Sequence, residues 1–97
     1  MTPQRIQRKR TRGWKMPENT VYVGRPSKWG NPFKVGDTLN GIILKTNSMV
    51  VEAFRRYTND NPKLVLEAQS ELIGKNLACW CEPDEECHAD VWLRLVN

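Results

Sequence analysis

Apolar residues recur at helical spacing in two segments of the second half of the chain. The first stripe is Met49, Val50, Ala53, Phe54 and Tyr57, and the second is Leu64, Val65, Ala68, Leu72 and Ile73. Asn47 or Ser48 can cap the first helix, which should stop near residues 59–61. Pro62 suits the first turn of the second helix, and Gly74 suits the position just after its end. The pattern therefore predicts two consecutive helices.

Short β-rich runs lie on either side of these helices. Residues 20–24 and 76–81 each have the composition of a strand, and Asn40-Gly41 favours a type I′ hairpin turn. A last helix is expected from about His88 to Val96. Strands separated by helices favour parallel pairing through a right-handed crossover. We therefore expect an α/β domain of two or three layers, with a short, mostly parallel sheet and about three helices.

Two unusual loops leave the carboxyl ends of the predicted strands. The first, called here the Pro-rich loop, is residues 25–33, and the second, called the acidic loop, is residues 82–88. Parallel pairing would bring both to one edge of the sheet, where ligands of open α/β sheets bind. All three cysteines and the only histidine of the chain fall within residues 79–88. The functional site is therefore expected at this edge.

Length and composition restrict the class of protein. A chain of 97 residues forms one small domain. No apolar run approaches the roughly 20 residues that span a bilayer, and the N-terminus lacks the apolar stretch of a secretory signal. Three cysteines, two of them in Cys79-Trp80-Cys81, are a poor disulfide framework. We therefore expect a cytoplasmic protein with no membrane partner.

Positive charge is concentrated at the N-terminus. Residues 1–15 carry six of the 15 basic side chains and no acid, which leaves nine basic and eleven acidic side chains elsewhere. Such a segment either neutralises phosphates of a nucleic acid or is a disordered, solvated tail. We expect a flexible basic arm over residues 1–17, of which 1–13 are dispensable for folding, and a single α/β domain over residues 18–97.

A zinc site is the first chemical interpretation of the cysteines. Cys79, Cys81, Cys87 and His88 together offer a Cys₃His ligand set. Residues two apart on an extended strand are about 6.6 Å apart, whereas two sulfurs on one tetrahedral zinc lie within roughly 4 Å. Unless the strand bends at Cys81, this spacing predicts that the protein carries no stoichiometric zinc.

A site for a polar ligand is the second interpretation. The Pro-rich loop offers two cations, a stacking ring and an amide, in Arg25, Lys28, Trp29 and Asn31. An aromatic ring beside basic groups suits a base, a sugar or a phosphate. The acids at positions 82 and 84–86 oppose an anion, unless they serve the start of the last helix. The structural alternative is that Trp29 covers the edge of the core and contacts no ligand.

Nucleophilic catalysis is the third interpretation. Cys87, at the start of a helix, is a better nucleophile than the strand residue Cys79, because the helix dipole favours a thiolate. His88 and Asp90 are then the candidate catalytic partners of Cys87. Each of these residues also has a structural interpretation: cysteines often serve as small core residues, His88 as a helix-start residue with a local hydrogen bond, and Asp90 as a solvated first-turn acid.

Three motifs of the chain resemble a known family. Residues 21–33 (Val-Tyr-Val-Gly-Arg-Pro-Ser-Lys-Trp-Gly-Asn-Pro-Phe), 74–81 and 87–90 are similar to the domain of unknown function 4326, a small family of bacteria and their phages. The resemblance covers roughly residues 18–97, excludes the basic arm, and implies no particular reaction.

A weaker similarity runs to the domain of unknown function 488. It rests on the spacing between Cys79 and Cys87-His88, and implies a compact α/β fold with a strand–loop–helix placement of these residues. Ala89 stands where that group usually has an arginine, so the resemblance does not supply an anion-binding side chain.

Together these observations predict a small cytoplasmic phage or bacterial domain that binds a nucleotide-like or sugar-phosphate ligand without a cofactor. Any reaction would be a transfer or a hydrolysis. The alternative is a non-catalytic module that binds nucleic acid or a host protein through the basic arm and uses its cysteines structurally.

Overall fold

Three helices and five short strands make up the fold in the computed structural model, which describes residues 2–97. The helices are α1 (Asn47–Asn59), α2 (Pro62–Leu72) and α3 (His88–Val96). The strands are β1 (Arg5–Gln7), β2 (Thr20–Tyr22), β3 (Thr38–Leu39), β4 (Ile42–Ile43) and β5 (Asn76–Cys79). A three-stranded sheet has the order β1-β5-β2, and β3 pairs with β4. The predicted α/β class with three helices and a short parallel sheet is confirmed.

Local sequence signals explain the ends of the helices. Thr46 is the N-cap of α1, where its hydroxyl accepts a hydrogen bond from the Met49 N–H at 3.2 Å. Pro62 occupies the first turn of α2, and Gly74, just beyond its end, has a φ of 74° that favours glycine. The predicted type I′ turn is also present, because Asn40 and Gly41 both have positive φ between β3 and β4.

β5 is the central strand and the most apolar one. Leu77, Ala78 and Cys79 are at most 1% exposed, as expected for a strand covered on both faces. Both neighbours pair with it in parallel: Ile6 of β1 and Tyr22 of β2 each lie opposite Ala78. The carboxyl ends of β5 and β2 therefore meet at one sheet edge, from which the Pro-rich and acidic loops leave.

β1 corrects the prediction of a flexible arm over residues 1–17, because residues 5–7 form a strand paired with β5. The Leu77 N–H donates to the Gln4 carbonyl at 3.0 Å, and the Arg8 N–H donates to the Cys79 carbonyl at 2.7 Å. The strand was missed because its residues are mostly polar and its partner lies far away in sequence. The flexibility of the rest of the arm stays a prediction, and Met1 lies outside the described residues.

The core lies between the sheet and the helices. Trp92 of α3 is fully buried and packs edge-to-face against Phe54 and Trp29, with ring centroids 5.5 and 5.6 Å apart. Its indole N–H donates to the Trp29 carbonyl at 2.8 Å. α3 thus ties the Pro-rich loop to the centre of the molecule. Within residues 2–97, no helix combines the length and the apolar character needed to cross a membrane.

Candidate functional site

Three cysteines converge where β5 ends. The strand stops at Cys79 and the chain bends at residues 80–81, so Cys81 turns back toward its neighbour. The sulfurs of Cys79, Cys81 and Cys87, called here the thiol cluster, all lie within 4.8 Å of one another, and those of Cys79 and Cys87 are 3.1 Å apart. The strand-spacing argument against a shared metal therefore does not apply, because Cys81 is not part of the strand.

His88 lies beside the thiol cluster with a defined orientation. Its Nε2 is 2.7 Å from the Val23 carbonyl oxygen, which only accepts hydrogen bonds, so Nε2 carries a proton. Its Nδ1 is 3.7 Å from the Cys87 sulfur, and its ring packs edge-to-face on Phe54. In the neutral imidazole, Nδ1 is then the free acceptor and is available to the cluster.

The three thiols differ in their acidity. Contacts with Cys79 and then Cys81 lower the pKa of Cys87, with further help from His88 and the Ala89 N–H, although burial opposes them. For Cys79, the contact with Cys81 lowers the pKa, but the contact with Cys87 and burial outweigh it and raise the pKa to about 11. Contacts with Cys79 and then Cys87 raise the pKa of Cys81. Among the three thiols, Cys87 is therefore the one whose pKa is lowered.

Arg5 anchors the acidic loop beside the cluster. Its guanidinium donates to the carbonyl oxygens of Glu82, Pro83 and Glu85 at 3.0, 2.6 and 2.8 Å, and to the Asp90 carboxylate at 3.1 Å. On the opposite side, the Asn47 amide of α1 donates to the Glu86 carbonyl. The loop that carries Cys87 is thereby held from both sides.

A cavity of about 350 Å³ opens over the thiol cluster. The Pro-rich loop, the acidic loop and the start of α1 all contribute to its wall, in residues that include Arg25, Asn31, Lys34, Asn47, Glu86 and His88. Cys79, Cys81 and Cys87 also line it. The two loops therefore meet at one site, as their departure from parallel strands predicts.

Four of the seven candidate residues line this cavity: Arg25, Asn31, Cys87 and His88. Asn31 is buried, and its amide bridges two elements by donating to the Val50 carbonyl at 3.3 Å and accepting from the Phe33 N–H at 2.9 Å. These two hydrogen bonds hold the fold together and leave the Asn31 amide fewer free donors and acceptors for a ligand. The role of Cys87 as a nucleophile stays a prediction.

The other three candidates lie away from the cavity. Trp29 is only 5% exposed and packs in the core, so its ring has no free face on which a ligand could stack. Lys28 points to α2, where it pairs with Glu67 and Glu71 at 3.3 and 3.0 Å. Asp90 pairs with Arg5 and is half exposed. None of the three lines this cavity, because loop sequence alone does not fix side-chain direction, and their functional roles stay predictions.

Several lining residues were not singled out from the sequence. Tyr22, Phe33 and Trp80 bring aromatic rings to the cavity, and Lys34 brings a second cation. Tyr22 and Trp80 were placed on strands, and in an alternating strand pattern either face is possible. Lys34 directly follows the Pro-rich loop, so a one-residue extension of the loop would have included it.

The comparison with family models identifies the chain. The model of Domain of unknown function (DUF4326) matches residues 6–97, so the chain belongs to this family. The match begins inside the basic arm and includes part of β1, so it extends further toward the N-terminus than the resemblance over roughly residues 18–97. No match was found among the curated proteins or among the solved structures.

Proposed function

We propose that this member of the DUF4326 family binds a small anionic ligand of the nucleotide or sugar-phosphate class in the cavity above the thiol cluster. The observation that carries the proposal is the meeting of two loops at one concave site. Such sites at the carboxyl edge of parallel strands are the usual ligand-binding positions of open α/β sheets.

The charge of the cavity favours an anion. Arg25 and Lys34 are exposed residues that line it, against the single acid Glu86. Among the ion pairs of residues 2–97, neither cation has a carboxylate partner. Lys28, in contrast, is already neutralised by two glutamates. The two cations of the cavity are therefore available for a phosphate group.

The size and the remaining lining favour an organic phosphate over a bare ion. A cavity of about 350 Å³ is at the small end of the range for small-molecule sites, roughly 300–1,000 Å³. The half-buried Phe33 ring supplies apolar surface for a base or sugar, and the Tyr22 and Trp80 rings beside it carry the guanidinium group of Arg8. Asn47 and Asn31 supply amide groups that can bond to hydroxyls.

The alternative function, nucleic-acid binding through the basic arm, has less support. Arg5 is occupied by the acidic loop, and the guanidinium groups of Arg8 and Arg10 stack on the Trp80 ring at 4.8 Å from its centroid. Three of the six arm cations thus have partners within the fold. The arm of this molecule acts at least partly as a structural element.

The test is a calorimetric titration of the chelator-treated protein with nucleoside monophosphates, ribose 5-phosphate and inorganic phosphate. We expect one of the organic phosphates to bind more tightly than inorganic phosphate. Arg25→Met and Lys34→Met should each weaken binding by about tenfold or more, because a charged hydrogen bond contributes roughly 1.5–3 kcal/mol.

Lys28→Met is the matched control, because Lys28 lies in the Pro-rich loop but outside the cavity. The affinity of this variant for the organic phosphate should be unchanged. Absence of binding by every organic phosphate would contradict the proposal. Loss of nucleic-acid binding in an Arg12→Ser, Lys15→Ser variant, with nucleic-acid binding of the cavity variants unaffected, would favour the alternative function of the arm.

A further inference from the structure

The thiol cluster has nearly the dimensions of a metal site. Two sulfurs bound to one tetrahedral zinc lie about 3.8 Å apart, given Zn–S bonds near 2.3 Å. The three sulfurs here lie within 4.8 Å of one another, and the shortest separation is 3.1 Å. Shifts of an ångström or less would therefore place all three around one ion.

His88 is oriented as a metal-binding histidine would be. Metal-bound imidazoles almost always donate their second N–H to a carbonyl or carboxylate, which fixes the ring and the tautomer. The Nε2–H of His88 already makes this bond to the Val23 carbonyl at 2.7 Å, and its Nδ1 is 3.7 Å from the Cys87 sulfur. The free nitrogen Nδ1 therefore lies against one sulfur of the cluster, that of Cys87.

The cluster is also held in place before any ion binds. Cys79 is fixed by the sheet. Cys87 is fixed as the N-cap of α3 and by the acidic loop, which Arg5 and Asn47 hold from either side. Only Cys81, on the bend, is half exposed. Ligands on rigid elements lose little conformational freedom when they bind a metal ion. The partly exposed Cys81 lines the cavity, so an ion can reach the cluster from there.

From this arrangement we propose that Cys79, Cys81 and Cys87 bind one zinc-class divalent metal ion, with His88 Nδ1 as the fourth ligand. Soft thiolates together with imidazole select Zn²⁺ over hard ions such as Mg²⁺ and Ca²⁺. Binding releases the protons of the thiols, so affinity falls at acidic pH. The ion would form part of the floor of the cavity, and its use on a bound ligand rests on the proposed function.

A disulfide is the competing use of these sulfurs. Cys79 and Cys87 are close enough for a bond of about 2.05 Å after a small movement, and all three cysteines are free thiols. Oxidation would leave Cys81 unpaired and would remove two of the three sulfur ligands. The disulfide and the metal are therefore mutually exclusive, and one sample can distinguish them.

The experiment uses the full chain, purified under reducing conditions, stripped with a chelator and titrated with Co²⁺ and then Zn²⁺. We expect one cobalt ion per chain, with sulfur-to-cobalt charge-transfer bands and the intense d–d bands of tetrahedral coordination. Zn²⁺ should displace the cobalt and abolish the colour. Absence of thiolate bands, or a Cys79–Cys87 disulfide in the reduced preparation, would overturn the proposal.

Variants then identify the ligands. Cys81→Ser alters a half-exposed position and should remain folded by circular dichroism while losing stoichiometric binding. His88→Gln should weaken binding and change the d–d bands, and an unchanged spectrum would overturn the assignment of His88. Asp84→Asn, in the exposed part of the acidic loop, is the control and should bind as the parent does. If Asp84→Asn loses the ion, the acidic loop and not the thiol cluster holds it.

The metal titration contains no organic phosphate, and the phosphate titration uses chelated protein. Failure of one experiment is therefore distinguishable from failure of the other.

Discussion

Gly24 allows the Pro-rich loop to begin where it does. Tyr22, the last residue of β2, folds its ring back over Gly24, and its hydroxyl donates to the Arg25 carbonyl at 2.7 Å. A β-carbon on Gly24 would lie 2.6 Å from Cζ of that ring, which is closer than side-chain carbons approach other atoms. Because Gly24 has no side chain, the Tyr22 hydroxyl can reach the Arg25 carbonyl. This hydrogen bond fixes the start of the Pro-rich loop, which forms part of the cavity wall.

Gly24→Ala should destabilise the protein by about 1–3 kcal/mol, the usual cost of overpacking. Urea denaturation followed by circular dichroism measures the change in the free energy of unfolding. A double-mutant cycle with Tyr22→Ala tests the cause, because the alanine at 24 should cost much less once the ring is gone. Equal costs in both backgrounds would show that the ring is not responsible.

At the scale of elements, β1 does more than extend the sheet. It covers one side of β5, and its first residue carries the guanidinium that satisfies three carbonyl oxygens of the acidic loop. The side chain of Arg5 is only 12% exposed. A charged donor that is largely buried stabilises the fold strongly only while its hydrogen-bond partners stay in place. The stability of β1 and the position of the acidic loop therefore depend on each other.

Arg5→Met should therefore lower the stability by about 2–3 kcal/mol, the value of charged hydrogen bonds lost without replacement. Thermal unfolding measures the shift. Arg12→Met removes the same charge from an exposed arm position and is the matched control, with little expected change.

Deletion of residues 2–8 should lower the melting temperature further than Arg5→Met, because it also removes the β1 pairing. This expectation reverses the sequence-based one, in which residues 1–13 were dispensable. An unchanged melting temperature after the deletion would restore the original view of a free arm.

Elements with local sequence signals were predictable, and β1, whose position depends on a distant partner alone, was not. α3 begins and ends where the apolar spacing predicted, and Pro62 and Gly74 mark α2 as expected. The strand predicted over residues 76–81 ends at Cys79, because pairing with β1 and β2 stops there. This early end of β5 determines the geometry of the thiol cluster, because it lets Cys81 turn toward the other two sulfurs. β1 itself has no local signature.

At the scale of the whole molecule, one aromatic side chain connects the helices to the site. Trp92 contacts Phe54 of α1 and Trp29 of the Pro-rich loop, and Phe54 in turn packs on His88. Burial of Trp29 therefore removes a ligand-binding face but gives the loop a fixed position. This core contact therefore helps to fix the wall of the cavity that the Pro-rich loop forms.

Trp92→Phe should cost about 1–3 kcal/mol, because it leaves a void and removes the donor to the Trp29 carbonyl. Equilibrium unfolding in urea measures it. Trp80→Phe makes the same change at a ring that is 40% exposed, and its smaller cost serves as the comparison. A Trp80 variant as unstable as the Trp92 variant would contradict this view of the core.

The central position of β5 also has a kinetic consequence. Both of its partners are distant in sequence: the Gln4 N–H, next to β1, donates to Asn76 across 72 residues. Closing such long loops is slow, whereas α1 and α2 form from local contacts. The strand that carries Cys79 is thus expected to reach its place after the helices have formed. The sulfurs then meet only in the last stage of folding, and newly made chains pass through an interval in which three separate thiols are open to oxidants.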